Sequence, residues 1–413
     1  MTTAKGPGDR TEAGTPATTS RSPTGPRTLL ALGALLVTTA GDEVALIGLT
    51  FRVSGSSGGT GAVAALLAAG LGAAVLLAPI AGRVVDRRGG HRTVVAGLTA
   101  QAVVALFMVP VHQTWALIAM AFVLGSFGAV TNAALFAFIP TLVPRDRLGT
   151  TNAWVETVRN TGFVAGPALG GVLAGIWGTA GTLLVNAVTF AAAATAAALL
   201  RAPRATRDPP AEDAIRPATE RGGMRRIWYD PVLRAALGAL FVTVAASSVM
   251  NVVLVFFVRH SIGAGATVYG LVSSAWGLGL VLGPLLVVRR LPEHRLAAGA
   301  ALGATGIGAA ITGAALLPYA TAVAMIFVVG GMANGLQNVA MRTMVATRLP
   351  ASVHGEAYAG YAATMNAAVL CGFFTGGWAG DTLPVRGVLL VSGLTTAAAG
   401  SLFLLYQARR RAG

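Results

Sequence analysis

Four ionisable residues stand inside stretches that are otherwise apolar: Asp42 and Glu43, side by side, and Glu156 and Arg159, three apart. A charge held at mid-bilayer depth costs at least about 3 kcal/mol unless it is paired or hydrated, so residues of this kind are the first candidates for chemistry. Burial disfavours the charged form of a carboxyl. A carboxyl poised between its two forms can load a proton from one side of a barrier and release it to the other. Asp42 or Glu43 is the expected proton carrier, and because adjacent helix residues point about 100° apart, at most one of them need face a central space. Glu156 and Arg159, at i and i+3, lie close enough to pair on one helix face, and Arg159 would tune the acid or bind substrate. The other reading of the same four residues is a static ion-pair network that holds helices together.

Enzyme chemistry finds little support. His91, His112, His260, His294 and His354 are scattered, with no H-E-x-x-H pair and no Cys/His cluster, so neither a metal nor a cofactor is expected. No phosphate-binding glycine loop is present, which speaks against ATP-driven work by this chain alone. The single cysteine, Cys371, rules out an internal disulfide.

The elements that must carry these residues are membrane helices. Of 413 residues, 54% are hydrophobic and only 11% charged, against about a quarter charged in soluble domains. Apolar runs fall near 29–52, 61–81, 94–111, 115–139, 151–175, 180–200, 232–258, 267–288, 296–317, 320–341, 355–378 and 387–406. Each has the length of a helix that crosses a bilayer, about 20 residues, rather than the ten-residue alternation of a barrel strand. Twelve crossings return the chain to the side on which it starts. Lys5 is the one lysine among 30 basic residues, and most of the arginines fall in alternate connections. The charge of +15 therefore reflects topology, with both termini cytoplasmic, and not nucleic-acid binding.

The expected organisation is a disordered tail over 1–27, a six-helix bundle over 28–201, a proline-containing linker over 202–231, a second bundle over 232–407 and a basic tail over 408–413. A short helix is expected near Met224–Tyr229 within the linker. An offset of 206 lays Pro144, Gly149, Ala153, Asn160, Gly166, Gly170 and Gly171 on Pro350, Gly355, Ala359, Asn366, Gly372, Gly376 and Gly377. The offset is half the chain, as two parallel six-helix repeats require.

Two further patterns belong to helix ends and helix packing. Gly82-x3-Asp86-Arg87-x-Gly89-x2-Arg92 joins the second and third runs. Here Gly82 lets helix ends approach and Gly89 permits a positive φ, while Asp86 can pair with arginine or sit at a helix N-terminus. In the fifth run, Gly162-x3-Gly166-Pro167-x2-Gly170-Gly171 leaves a groove without side chains for a neighbouring helix, and Pro167 removes one backbone hydrogen bond.

The first pattern resembles the signature between the second and third helices of the major facilitator superfamily of secondary transporters, and the second resembles the signature of that superfamily's antiporters. Leu142 to Asn152, Arg159-Asn160 and Gly41-Asp42 are similar to the macrolide-efflux and enterobactin-exporter-like branch. The resemblance implies a twelve-helix fold of two pseudo-symmetric bundles, with both glycine patterns serving the conformational gate. It also implies a central cavity lined by the first, fourth, seventh and tenth helices, which would place Asn132, Asn251, Asn334 and Asn338 on its wall. Taken singly, each amide reads first as an interhelical hydrogen-bond partner. The fourth run, 115–139, lacks the arginine that many drug-proton antiporters carry there, so their proton path does not transfer intact.

The expected protein is thus a monomeric, proton-coupled exporter of a hydrophobic or amphiphilic small molecule in the plasma membrane. Metabolite uptake by the same fold, and a membrane-embedded enzyme or receptor, are the alternatives.

Overall fold

A computed structural model describes residues 25–143, 147–200, 223–286 and 292–412. The tail expected over 1–27 lies outside these up to residue 24, as does 201–222 of the expected linker. Long helices dominate: α1 (Pro26–Val53), α2 (Gly59–Arg88), α3 (Gly90–Met108), α4 (Thr114–Phe138), α5 (Leu148–Leu199), the short α6 (Gly223–Tyr229), α7 (Pro231–Phe256), α8 (Ala266–Leu286), α9 (Leu296–Leu316), α10 (Ala320–Arg348), α11 (His354–Thr382) and α12 (Val385–Ala412). The short helix expected in the linker is α6. The basic tail expected over 408–413 is, through Ala412, the end of α12, where cations suit the negative end of the helix dipole.

Ten helices among the described residues are long and apolar enough to cross a membrane. One of them, α5, holds two crossings. Its 52 residues are broken at Gly178, with φ 70° and ψ 177°, a conformation essentially reserved for glycine. The contacts of α1 show that the chain reverses there. A side chain at Gly162 would meet Thr39 and one at Gly170 would meet Val44, so the first arm runs parallel to α1. Gly41 instead abuts Asn186 and Thr189 while Gly48 abuts Thr182, so the second arm runs antiparallel. The four-residue loop that a sequence reader would place between runs five and six is compressed into this one glycine. Counting α11, 29 residues long but interrupted by Glu356, Asn366 and Asp381, the chain makes twelve crossings in two six-helix bundles.

Parity puts the start of α1 and the end of α12 on one face, here the terminal face, and Gly178 on the distal face. The halves are seamed toward the distal face by α2 against α11 and by α5 against α8. Both seams are glycine-lined, because without side chains the backbones come close enough for dispersion contact and for hydrogen bonds to reach the neighbouring main chain. At the α5–α8 seam, a Cβ on Gly171 would lie 2.6 Å from the Ala266 carbonyl oxygen and 2.9 Å from Gly270 Cα. Thr267 Oγ1 donates to the Gly171 carbonyl at 3.2 Å.

At the α2–α11 seam, Asp381 accepts from Thr60 N at 2.8 Å, Thr60 Oγ1 at 2.8 Å and Gly61 N at 3.1 Å. Thr60 Oγ1 also lies 2.7 Å from the Gly377 carbonyl. A carboxylate of one half thus caps the N-terminus of a helix in the other, and hydrogen bonds of this charged type contribute about 1.5–3 kcal/mol each. Arg259 adds a bond to Ser54 Oγ at 3.4 Å and lies over the Phe51 ring.

Candidate functional site

A cavity of about 340 Å³ lies within the first half. Helix α1 contributes Thr38, Thr39, Asp42 and Glu43, α4 contributes Thr131 and Asn132, and α5 contributes Arg159 and Phe163. Its volume falls within the range of small-molecule pockets, about 300–1,000 Å³.

The cavity exists because glycines and small residues leave space in the bundle. Gly70 of α2 and Gly125 of α4 pack backbone to backbone, a Cβ on Gly125 falling 2.8 Å from the Gly70 carbonyl oxygen. Ala74, Gly128 and Ala129 continue this side of the wall with small residues. On α1, Glu43 is seated by the first arm of α5. A Cβ at Gly166 would stand 2.5 Å from Glu43 Cβ and 3.0 Å from the Ala40 carbonyl. The glycines of the fifth run therefore fix the height and rotation of the helix that carries both acids. Gly171, the last of them, faces α8 across the distal seam instead, so one short stretch of α5, Gly166 to Gly171, touches both the acid-bearing helix and the opposite half.

Asp42, near the middle of α1, is exposed, and the space it meets is this cavity. Asp42, Glu43 and Arg159 line the same space, yet none of the three makes a hydrogen bond or ion pair among the described residues. Arg159 lies with its guanidinium 5.7 Å from the centre of the Phe136 ring. Gln101, Thr131, Thr38 and Thr39, by contrast, are engaged within the wall. Gln101 Nε2 donates to the Gly97 carbonyl at 3.2 Å and to Thr131 Oγ1 at 3.0 Å. Thr38 and Thr39 donate to carbonyls one turn back. The arrangement is a largely apolar chamber holding two carboxyl groups and one guanidinium that have no fixed partners, so protonation and ligand binding can change what they face.

The remaining sequence candidates fall elsewhere. Glu156 is exposed, outside the cavity wall, and forms no ion pair with Arg159: the i, i+3 spacing is present, but Arg159 turns into the chamber. Of the four amides, Asn132 lines it. Asn251 is exposed in the second half, and Asn338 Nδ2 donates to Asn334 Oδ1 at 2.6 Å within α10, a bond inside one helix and not the interhelical one of the alternative. The α2–α3 hinge has Gly89 at φ 81°, as its turn requires. Asp86, Arg87 and Arg92 are exposed around it, and Asp86 sits in the last turn of α2 rather than at a helix N-terminus. A Cβ at Gly82 or Gly89 would meet nothing within 4 Å among the described residues, while Gly90 and His91 pack on Phe138 of the same half, so the contacts given for this hinge stay within its own bundle. Pro167 is buried, and its carbonyl oxygen abuts Gly270 of α8.

Two features went unread in the sequence. Gln101 and Thr131 are polar residues in apolar runs, and the test that flagged the four asparagines applies equally to them. Asp381 ends its span and reads as an ordinary loop acid; its partner lies 321 residues away.

A family model described as Major Facilitator Superfamily matches residues 30–258 and 236–413. Among curated proteins, the multidrug efflux pump Tap of Mycolicibacterium fortuitum is 28% identical over 254 residues, 58% of this chain and 61% of the relative's length. Among solved structures, the nucleoside transporter NupG superposes with a TM-score of 0.75 at 11% identity, covering 92% of this chain and 99% of that one. A bacterial homologue of the iron transporter ferroportin in an inward-facing state gives 0.67 at 16% identity, over 92% and 98% of the two chains. A bacterial homologue of the lysosomal transporter Spinster, inward-facing and unoccupied, gives 0.67 at 14%, over 93% and 96%. At these identities the structural likeness establishes the fold.

Proposed function

The chain belongs to the Major Facilitator Superfamily, a transporter and not an enzyme, and from that premise we propose that it exports a hydrophobic or amphiphilic small molecule in exchange for protons. The observation that carries this reading is the convergence of Asp42, Glu43 and Arg159, without fixed partners, on one chamber whose wall helix is held by the glycines of α5. Asp42 or Glu43 takes up the proton. Once the proton is released, Arg159 competes for the carboxylate left behind, or it holds a polar group of the substrate that Asn132 orients. Glu156, outside the chamber, has no part in the exchange.

The two bundles, 28–201 and 232–407, rock against each other as units of one monomer in the plasma membrane, opening the chamber of the first bundle to one side and then the other. Arginine placement makes the terminal face cytoplasmic. The structure then corresponds to a state sealed on the outer side by the Asp381–Thr60 cap and the Gly171–Gly270 contact. The opposite state closes when the Gly82–Arg92 hinge, packed on its own half through Gly90 and His91, gains contacts to the second half.

The apolar lining, with Leu35, Leu98, Phe163 and Phe190 around few polar groups, suits an amphiphile better than a sugar. Similarity to a protein named as a multidrug efflux pump supports the outward direction. The test is expression in a host stripped of its own exporters, with a compound panel scored for accumulation. Reduced accumulation of at least one amphiphile, restored by a protonophore, is expected. Increased accumulation, or export that a protonophore leaves untouched, overturns the reading.

A further inference from the structure

Arg159 brings a positive charge to the first chamber, and its resting place there is a ring and not a carboxylate. The residue is half-buried on α5 and lines the same space as Asp42 and Glu43, yet its guanidinium lies 5.7 Å from the centre of the Phe136 ring of α4. Phe136 follows Asn132 by one helical turn, on the same face of α4. Because Asn132 lines the chamber and α4 runs from the distal to the terminal face, the ring stands at the chamber's terminal end. Phe136 is 59% exposed, so it does little packing inside its own bundle. Ring and cation also go together with the acids. The 206-residue offset lays Asn132 on Asn338 but Phe136 on Arg342 and Arg159 on Met365, in the half where Gly372 seats Ser248 instead of an acid.

A carboxylate partner would satisfy a guanidinium by neutralising it. A ring attracts the cation through its quadrupole and occupies none of the guanidinium N–H donors in the plane. Arg159 on Phe136 therefore keeps its charge and its hydrogen-bonding capacity beside two carboxyl groups. That arrangement is favoured while the carboxyls are neutral, because an ionised one in an apolar chamber would draw the guanidinium off the ring into a charge-assisted pair. Few other groups intervene. Helices α2, α3 and α4 bring no titratable side chain to the wall, Glu156 turns outward, and from the second half the buried Tyr269 of α8 approaches Glu43. We infer that Phe136 is a positioning residue: it holds Arg159 away from Asp42 and Glu43 while they carry the proton, and yields it to the carboxylate when the proton leaves. The inference rests on the proton-carrier reading of the two acids.

The test reads protonation without requiring transport. The full-length protein in detergent micelles is treated across a range of pH with N,N′-dicyclohexylcarbodiimide, which adds to a protonated carboxyl, and labelling at Asp42 and Glu43 is followed by mass spectrometry. Phe136→Leu keeps an apolar side chain but removes the ring, and should lower the pH midpoint of labelling by about 0.5–1 unit, as loss of one cation–π contact requires. Phe136→Trp, with the stronger ring, should raise the midpoint, and Phe136→Tyr should leave it near that of the wild type. In an Arg159→Gln background the three variants should share one midpoint, an outcome that a role in packing alone would not produce. Should Phe136→Leu fail to fold, the rise with Phe136→Trp and its loss in Arg159→Gln carry the same reading. A midpoint unchanged by both Leu and Trp, a rise with Leu, or a shift that persists without Arg159 overturns the inference. Wild-type labelling that ignores pH overturns the proton-carrier reading and this inference with it, whereas pH-dependent labelling indifferent to the ring overturns the inference alone.

Discussion

The two halves share one packing plan and differ in what the plan holds. In the first, Gly166 and Gly170 of α5 receive Glu43 and Val44 of α1; in the second, Gly372 and Gly376 of α11 receive Ser248 and Val249 of α7. The next glycine in each half turns to the other, Gly171 to α8 and Gly377 to Gly61 and Ala64 of α2. Where the first half sets Asp42 and Glu43 on this frame, the second sets Ser247 and Ser248, and the position matching Arg159 is Met365. The seams invert the bias. A carboxylate from α11 caps α2, whereas the matching contact between α8 and α5 is a threonine hydroxyl on a carbonyl. Close helix packing is thus the common property of both halves, while the acids set on this frame belong to the first half and a carboxylate crosses only one of the two seams.

That contrast is open to direct attack. Converting Asp42→Asn and Glu43→Gln together should abolish pH-gradient-driven transport in reconstituted vesicles. Ser247→Ala with Ser248→Ala should hold it within about threefold, the weight of an average interhelical hydrogen bond. Full coupled transport in the acid double variant would erase the asymmetry. At the seams, Asp381→Asn should cost about 1.5–3 kcal/mol and admit an impermeant maleimide from the distal face to a cysteine placed at Ser247 in a Cys371→Ser background. Thr267→Val should change labelling far less, and equal labelling would show the two seams to be equivalent.

A smaller effect tests the shared frame. Gly170→Ala, whose Cβ would stand 2.8 Å from Val44 Cα, should destabilise by about 1–3 kcal/mol, and Gly376→Ala, at 3.2 Å from Val249 Cα, by less. The reverse order in thermal unfolding would show that the glycines are not equivalent.

The smallest effect concerns Asp230, at the start of α7. Its partial burial alone would raise the carboxyl pKa, but the Leu233 and Val232 N–H groups and the Arg348 guanidinium outweigh that and hold it below the ordinary 3.8. Its contribution is therefore complete above the unfolded value and fades as pH falls through the lower folded one. Asp230→Asn should cost under about 1 kcal/mol at neutral pH, as exposed pairs do, with the difference from wild type vanishing in acid.

The helical frame was legible because apolar length is a one-dimensional property, and each of the twelve runs maps onto a crossing. The grouping of Asp42, Glu43 and Arg159 was legible for a related reason: few charges occur inside the runs, and few places in a bundle can receive them. Side-chain direction was not. Glu156 has the spacing to pair with Arg159 but turns out to the surface, and Asn334 spends its amide on Asn338 within one helix. The Asp381 cap was invisible because it joins residues far apart in the chain at two helix ends, where an acid and a Gly58-Gly59-Thr60 start look like ordinary loop chemistry.

Gly178 has a consequence for how the molecule is made. With any side chain there the reversal is strained, and an unbroken α5 would be a rod of roughly 78 Å, far longer than one membrane thickness. The ribosome delivers residues 148–199 before anything downstream, so losing the reversal would leave every later helix threaded in the opposite sense. The arginines after Leu199 would then have to cross the bilayer. Gly178 thereby lets the chain turn back within one residue, in the sense that the arginine bias also favours.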